Sequence, residues 1–153
     1  MRTRTKPPST SFNRPAPKKR VLILCTGNSC RSQVAEAWIR ELWGAQWEPH
    51  SAGTVPAAAV HPLAVRVMAE AGIDIARARP KHVAAYLDQS WDLVVTVCDA
   101  AREACPVFPR PVRQLHLSFP DPAQATGSEA ERLSVFRRVR DAIRAELRVT
   151  GTG

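Results

Sequence analysis

Apolar and polar positions along the chain change period several times, and each change marks an element. Val21–Cys25 is an unbroken apolar run between basic residues and small polar ones, the pattern of a strand buried on both faces. From Ser32 to Trp43 the period becomes helical, with Val34, Ala37, Trp38, Ile39 and Leu42 on one face and Gly44 where a helix stops. Trp47–Ser51 reads as a short strand closed by Ala52-Gly53. Pro62–Ala71 reads as a second helix, with Pro62 in its first turn and Gly72 beyond its end. Lys81–Leu87 predicts a short third helix, Asp92–Val97 a valine-rich buried strand and Arg113–Leu117 a fourth strand. Glu129–Arg148 predicts a long terminal helix with Leu133, Phe136, Val139, Ile143 and Leu147 on one face.

Strands alternating with helices imply an α/β fold, a four-stranded parallel sheet with helices on both faces. Ligands of such sheets sit at the carboxyl ends of the strands. Cys25, Cys98 and the loop after Leu117 all fall there, so three sets of chemical groups are expected along one edge of the sheet.

Charge changes the picture less than its total suggests. The 153 residues carry a formal net charge of +8. Arg2, Arg4, Lys6, Arg14, Lys18, Lys19 and Arg20 supply seven basic residues without one acid, leaving 15 basic against 14 acidic in the rest. The same segment holds Pro7, Pro8, Pro15 and Pro17, and Phe12 is its one large apolar side chain after Met1. Such a stretch buries too little surface to order itself. The expected organisation is a basic, proline-rich tail over 1–19, one domain over 20–149 and a frayed end over 150–153. Without aromatic interleaving or a fold motif, the tail does not point to a nucleic-acid partner. No apolar run approaches a membrane span and no signal peptide is legible, so a cytoplasmic monomer is expected.

The four cysteines are Cys25, Cys30, Cys98 and Cys105. They form no Cys-x2-Cys pair, and His50, His61, His82 and His116 are scattered singly, so no metal site is expected. Reactive thiols remain. Between strand and helix, the loop Thr26, Gly27, Asn28, Ser29, Cys30 and Arg31 can aim backbone N–H groups at a tetrahedral oxyanion, with the helix N-terminus adding positive charge. Gly27 is expected to provide the tight turn and Arg31 a bidentate contact. The same field favours the nucleophilic thiolate of Cys25, and Ser32 can donate a hydrogen bond to it. Asp121, before Pro122, is a candidate general acid.

Cys25-Thr26-Gly27-Asn28-Ser29-Cys30-Arg31-Ser32-Gln33 resembles the anion loop of the thioredoxin-coupled arsenate reductases, which share the fold of the low-molecular-weight protein tyrosine phosphatases. The resemblance continues through Ser51-Ala52-Gly53-Thr54, Met68–Ile75, Asp92–Cys98, Phe119–Ala123 and Phe136–Asp141, about residues 20–148 in order. It implies that Cys25 attacks arsenate, that Cys98 closes a Cys25–Cys98 disulfide as arsenite leaves, and that Cys105 moves the bond to Cys98–Cys105. No cofactor is bound; thioredoxin supplies the electrons, and phosphate or sulfate compete as oxyanions. In a fully helical segment, residues seven apart stand roughly 10 Å from each other. A disulfide needs α-carbons within about 7 Å. Closing Cys98–Cys105 therefore requires Asp99–Ala104 to unwind, and a mobile segment is expected there.

Phosphatases of this type resemble the pattern with proline after the loop serine and tyrosine after Asp-Pro, where this chain has Gln33 and Ala123. Two alternatives stay open: a phosphatase of phosphotyrosine or small phosphomonoesters, and a non-catalytic oxyanion-binding or redox-sensing module. In some relatives, residues matching Asn28, Glu36 and Ser51 join an acidic residue around a monovalent cation. Lys81 stands at that acidic position, and its ammonium is expected to replace the ion and pair with Glu36.

Overall fold

A computed structural model of the chain describes residues 17–151. Strand β1 (Lys19–Cys25) lies inside the sheet, flanked by β2 (Trp47–Gly53) and β3 (Leu93–Thr96), with β4 (Arg113–His116) beyond β3. All neighbours are parallel, in the order β2-β1-β3-β4. Val21–Leu24 and Val94–Val95 are fully buried, which is why these runs show no alternation of polar and apolar residues.

Helix α1 (Arg31–Trp43) returns the chain from β1 to β2, and α2 (Pro62–Glu70) follows β2. Helix α3 (Asp99–Glu103) follows β3, and α4 (Glu129–Gly151) ends the described chain. The face of α4 expected to be apolar is buried at Leu133, Phe136, Val139, Ile143 and Leu147. Polar pins fix α4 to its neighbours. Trp38 and Trp43 of α1 donate their indole N–H groups to the carbonyls of Arg140 and Leu147, at 3.2 and 3.1 Å. Arg140 and Arg137 grip Glu70 at the end of α2.

Three elements differ from the sequence expectation. Strand β2 continues through Ala52 and Gly53, because they stand in register with Leu24 and Cys25. The helix expected over Lys81–Leu87 is only a 3-10 turn, Val83–Tyr86. Lys81 and His82 are drawn away from helical geometry: Gly53 N–H donates to the Lys81 carbonyl at 2.7 Å, and His82 bridges to Gly53 in parallel fashion. At the far end, the helix runs on through Thr150 and Gly151 where fraying was expected, and Gly151 abuts the Trp43 indole. The tail expected over 1–19 gives up Lys19, which belongs to β1; residues 1–16, like 152–153, lie outside the described residues. Among the described residues, no helix is long and apolar enough to cross a membrane.

Candidate active site

The loop between β1 and α1 is built from outward-drawn carbonyls. The carbonyl of Cys25 accepts from Thr54 N–H at 3.2 Å, that of Thr26 from Val55 at 2.9 Å, that of Gly27 from Ala57 at 2.9 Å and that of Ser29 from His61 at 2.8 Å. The Asn28 carbonyl accepts from the Gln33 side chain at 3.2 Å. The Cys30 carbonyl accepts the first helical bond, from Val34, at 2.8 Å. In a trans peptide the following N–H points opposite to the carbonyl. Every carbonyl pulled outward therefore turns the next amide, from Thr26 to Arg31, toward the inside of the loop. Successive inward amides make a nest for an anion. One of them already meets the thiol expected to be the nucleophile: Asn28 N–H donates to Cys25 Sγ at 3.2 Å.

The conformational break expected at Gly27 falls instead on Asn28, which has φ 49°. Asparagine tolerates the left-handed region better than most residues, and here its side chain is fixed on every side. Its amide group donates to Ser32 Oγ at 2.7 Å and to Ser51 Oγ at 2.9 Å. Its Oδ1 accepts from the Gln33 side chain at 3.1 Å and from Lys81 N–H at 2.9 Å. Because Ser32 Oγ accepts from Asn28, its hydroxyl hydrogen is free to reach Cys25 Sγ, 2.9 Å away. The expected Ser32–Cys25 contact is thus made, and either atom can be its donor.

Glycine is required at Gly53. A Cβ there would lie 2.5 Å from the Thr26 carbonyl oxygen and 3.0 Å from the Asn28 nitrogen, both backbone atoms. Gly53→Ala is expected to cost about 1–3 kcal/mol of stability and to weaken phosphate binding by deforming the loop. Denaturant unfolding with calorimetric phosphate titration checks both.

Arg31 opens α1 and reaches across to the segment after β4. Its Nη1 donates to the Phe119 carbonyl at 3.1 Å, and its Nη2 stands 3.8 Å from Asp121 Oδ2. Asp121 is held before a 3-10 turn (Pro122–Gln124) by accepting from Ala123 N–H at 3.0 Å. Guanidinium and carboxyl therefore face the same loop. On the neighbouring strand end, Cys98 Sγ lies 3.5 Å from Thr26 Oγ1 and accepts from Ala101 N–H at 3.4 Å as the cap of α3. Cys105 lies beyond the other end of α3, partly exposed. Cys30 is buried in the loop. Its burial, then the neighbouring Cys25 and Asp121, push its pKa well above the ordinary thiol value, so it stays protonated. Burial also raises the pKa of Cys105. All four cysteines are free thiols.

The cluster behind the loop assembles, but not as expected. Ser51 Oγ donates to Glu36 Oε1 at 2.5 Å, linking Glu36 through Ser51 to Asn28. The predicted Lys81–Glu36 pair is absent. Arg40, four residues along the same helix, takes the Glu36 carboxylate at 2.8 Å. The Lys81 ammonium donates instead to the Arg79 carbonyl at 3.0 Å. Burial lowers the Lys81 pKa, with Glu36 acting in the opposite sense. Among the described residues, no group of three or more His, Cys, Asp or Glu side chains is placed to hold a metal ion.

Sequence reasoning missed the segment Thr54–His61, which shapes the loop from outside. No residue type there announces it, because most of its contribution is made by backbone N–H groups. In the sequence, Gln33 closes the loop motif and marks a departure from the phosphatases. The structure gives it a task that proline could not perform, since its side-chain amide ties the carbonyls of Asn28 and Arg79.

A cysteine under an amide nest, an arginine at its exit and an aspartate facing it define an oxyanion-handling enzyme of the phosphatase type. Residues 20–150 match the family model described as low molecular weight phosphotyrosine protein phosphatase. The chain is 47% identical over 126 residues to an arsenate reductase of Halalkalibacterium halodurans, covering 82% of this chain and 90% of that one. A crystal structure of an arsenate reductase from Archaeoglobus fulgidus superposes with a TM-score of 0.71 at 28% identity, over 87% of this chain and 99% of that one. A thioredoxin-dependent arsenate reductase of Corynebacterium glutamicum gives 0.62 at 25% identity, over 93% of this chain and 66% of that one. The chain belongs to the low-molecular-weight phosphotyrosine phosphatase family, and within it to the arsenate reductases.

Proposed function

We propose that the protein reduces arsenate to arsenite through Cys25, Cys98 and Cys105, and that a thioredoxin restores the thiols. The observation that carries this reading is the Cys98 thiol, held 3.5 Å from Thr26 of the loop that cradles Cys25. A hydrolase needs one thiol and ends unchanged. Arsenate reduction draws two electrons from the protein, and a second thiol beside the nucleophile supplies them as a disulfide.

The loop amides and Arg31 bind the oxyanion. Cys25 attacks arsenic while Asp121 gives its proton to the departing oxygen, which leaves as water. Cys98 thiolate then attacks Cys25 Sγ. The S–As bond breaks with its electron pair staying on arsenic, arsenite departs and Cys25–Cys98 forms. Cys105 thiolate attacks Cys98 Sγ, Cys25 leaves as thiolate and the bond becomes Cys98–Cys105. The dithiol of thioredoxin reduces it by two further exchanges. Phosphate and sulfate fit the same tetrahedral cradle and compete. With Asn28, Ser51, Glu36 and Lys81 N–H already bonded to one another, turnover needs no monovalent cation, and exchanging potassium for a bulky organic cation leaves kcat/KM unchanged.

The deciding assay supplies arsenate, thioredoxin, thioredoxin reductase and NADPH. Arsenate-dependent NADPH oxidation is expected. Aryl phosphate hydrolysis that survives loss of Cys98 and Cys105, without any arsenate turnover, would make the protein a phosphatase. Neither activity, with oxyanion binding retained, would make it a binding module.

A further inference from the structure

Cys98 has two tasks that demand opposite states of α3. It must sit beside the anion loop to attack Cys25, and α3 must then unwind for Cys105 to reach it. The structure holds a junction at this point that the chemistry above does not use. His116, at the end of β4, lies with Nδ1 2.7 Å from Thr96 Oγ1 and Nε2 2.9 Å from Asp99 Oδ1. Thr96 ends β3 two residues before Cys98, and Asp99 is the first residue of α3. His116 first, and the Ser118 side chain second, keep the pKa of the Asp99 carboxyl below the ordinary carboxylate value. The imidazole is four-fifths buried, with 19% of its side chain exposed, while the Asp99 side chain is 67% exposed. The ring is therefore a fixed post, and the first turn of α3 hangs on it.

Cys98 does not depend on this post for its own place. Val97 N–H donates to the Leu24 carbonyl at 2.9 Å, and Cys98 Sγ keeps its contact to Thr26. The post acts on the segment after Cys98, the one that must come apart. We infer that Asp99 and His116, the latter anchored on Thr96, form a clasp that keeps α3 wound while Cys98 attacks, and whose opening governs transfer of the disulfide to Cys105. Asp99 and His116 are positioning residues, touching neither oxyanion nor reacting sulfur. The inference rests on the relay proposed above, but its test needs no arsenate.

In a Cys25→Ser background, diamide oxidises Cys98 and Cys105 directly. Two thiols lose two electrons and two protons to the N=N bond of the azo oxidant, and the Cys98–Cys105 bond is followed by quenching and peptide mapping. Losing one net hydrogen bond from the wound state is expected to speed bond formation about three- to tenfold in Asp99→Ala. His116→Ala should match it. Asp99→Asn keeps an acceptor for the His116 Nε2–H and should stay within about twofold of the parent. Backbone amides of residues 99–104 should exchange faster in the two alanine variants, in step with the chemistry. Unchanged rates in both alanine variants overturn the clasp. So does an Asp99→Asn rate equal to Asp99→Ala with His116→Ala unaffected, which would leave only a charge effect at the helix start. If the four-cysteine protein releases no arsenite, the relay fails while this measurement still stands.

Discussion

With one equivalent of arsenate and no external thiol, Cys105→Ser is expected to release one equivalent of arsenite and stop as a Cys25–Cys98 disulfide. Cys98→Ser should release none. The difference follows from where the sulfurs stand. Cys98 lies at the carboxyl end of β3, against Thr26 of the anion loop, and in the proposed relay it attacks Cys25 with α3 intact. Cys105 lies past the far end of that helix, and in the proposed relay it reaches Cys25 only through Cys98. The unsubstituted protein should also release one equivalent and end as Cys98–Cys105. Under turnover with thioredoxin, each cysteine variant should lose at least about 10³-fold in kcat, because the relay acts as a unit. Arsenite quantification with disulfide mapping reads all three outcomes. Release of arsenite from Cys98→Ser would remove Cys98 from its role.

The second large effect is expected at Arg31. Its fork is aimed by the bond to the Phe119 carbonyl and stands near the Asp121 carboxylate, so guanidinium, carboxyl and amide nest face one volume. Arg31→Lys keeps the charge but not the planar pair of donors. A preorganised donor to a developing oxyanion is worth about 10²–10³ in rate. A fall of that size in kcat/KM for arsenate is expected for Arg31→Lys, and a larger one for Arg31→Ala. Phosphate should lose potency as a competitive inhibitor in parallel. Steady-state kinetics with and without phosphate checks this. A lysine variant within about threefold of the parent would show that charge alone suffices at this position.

Much of this site was legible from local pattern. The apolar run Val21–Cys25 and the valine-rich run ending near Thr96 are buried on both faces, so their sequences carry no alternation and read directly as strands. Their ends bring Cys98 level with Thr26, the residue after Cys25, because parallel neighbours in register put their carboxyl ends at one edge. Where the structure departs from the sequence pattern, a competing partner intervenes, in one case distant and in another local. Lys81 and His82 follow Gly53 into a bridge, which shortens the expected helix to one 3-10 turn. The Lys81–Glu36 pair lost to Arg40, which sits on the helix of Glu36 itself and needs no long reach. The left-handed residue is Asn28 rather than Gly27, because Gln33, Ser51 and Lys81 N–H hold its side chain in a way that no neighbouring residue reveals.

The one-dimensional order of residues was enough for the strand–loop–helix frame, the thiol at its entrance, the arginine at its exit and the two later cysteines. These depend on hydrophobic period and on residue chemistry, both local properties of a chain. Folding alone decided how the loop is drawn open. Carbonyls of Cys25, Thr26, Gly27 and Ser29 are each claimed by an N–H from Thr54–His61, some thirty residues on. A backbone N–H is nearly the same on every residue, so its partner is written nowhere in the side chains. The clasp at Asp99 was hidden for the related reason that its histidine arrives from another strand, seventeen residues away.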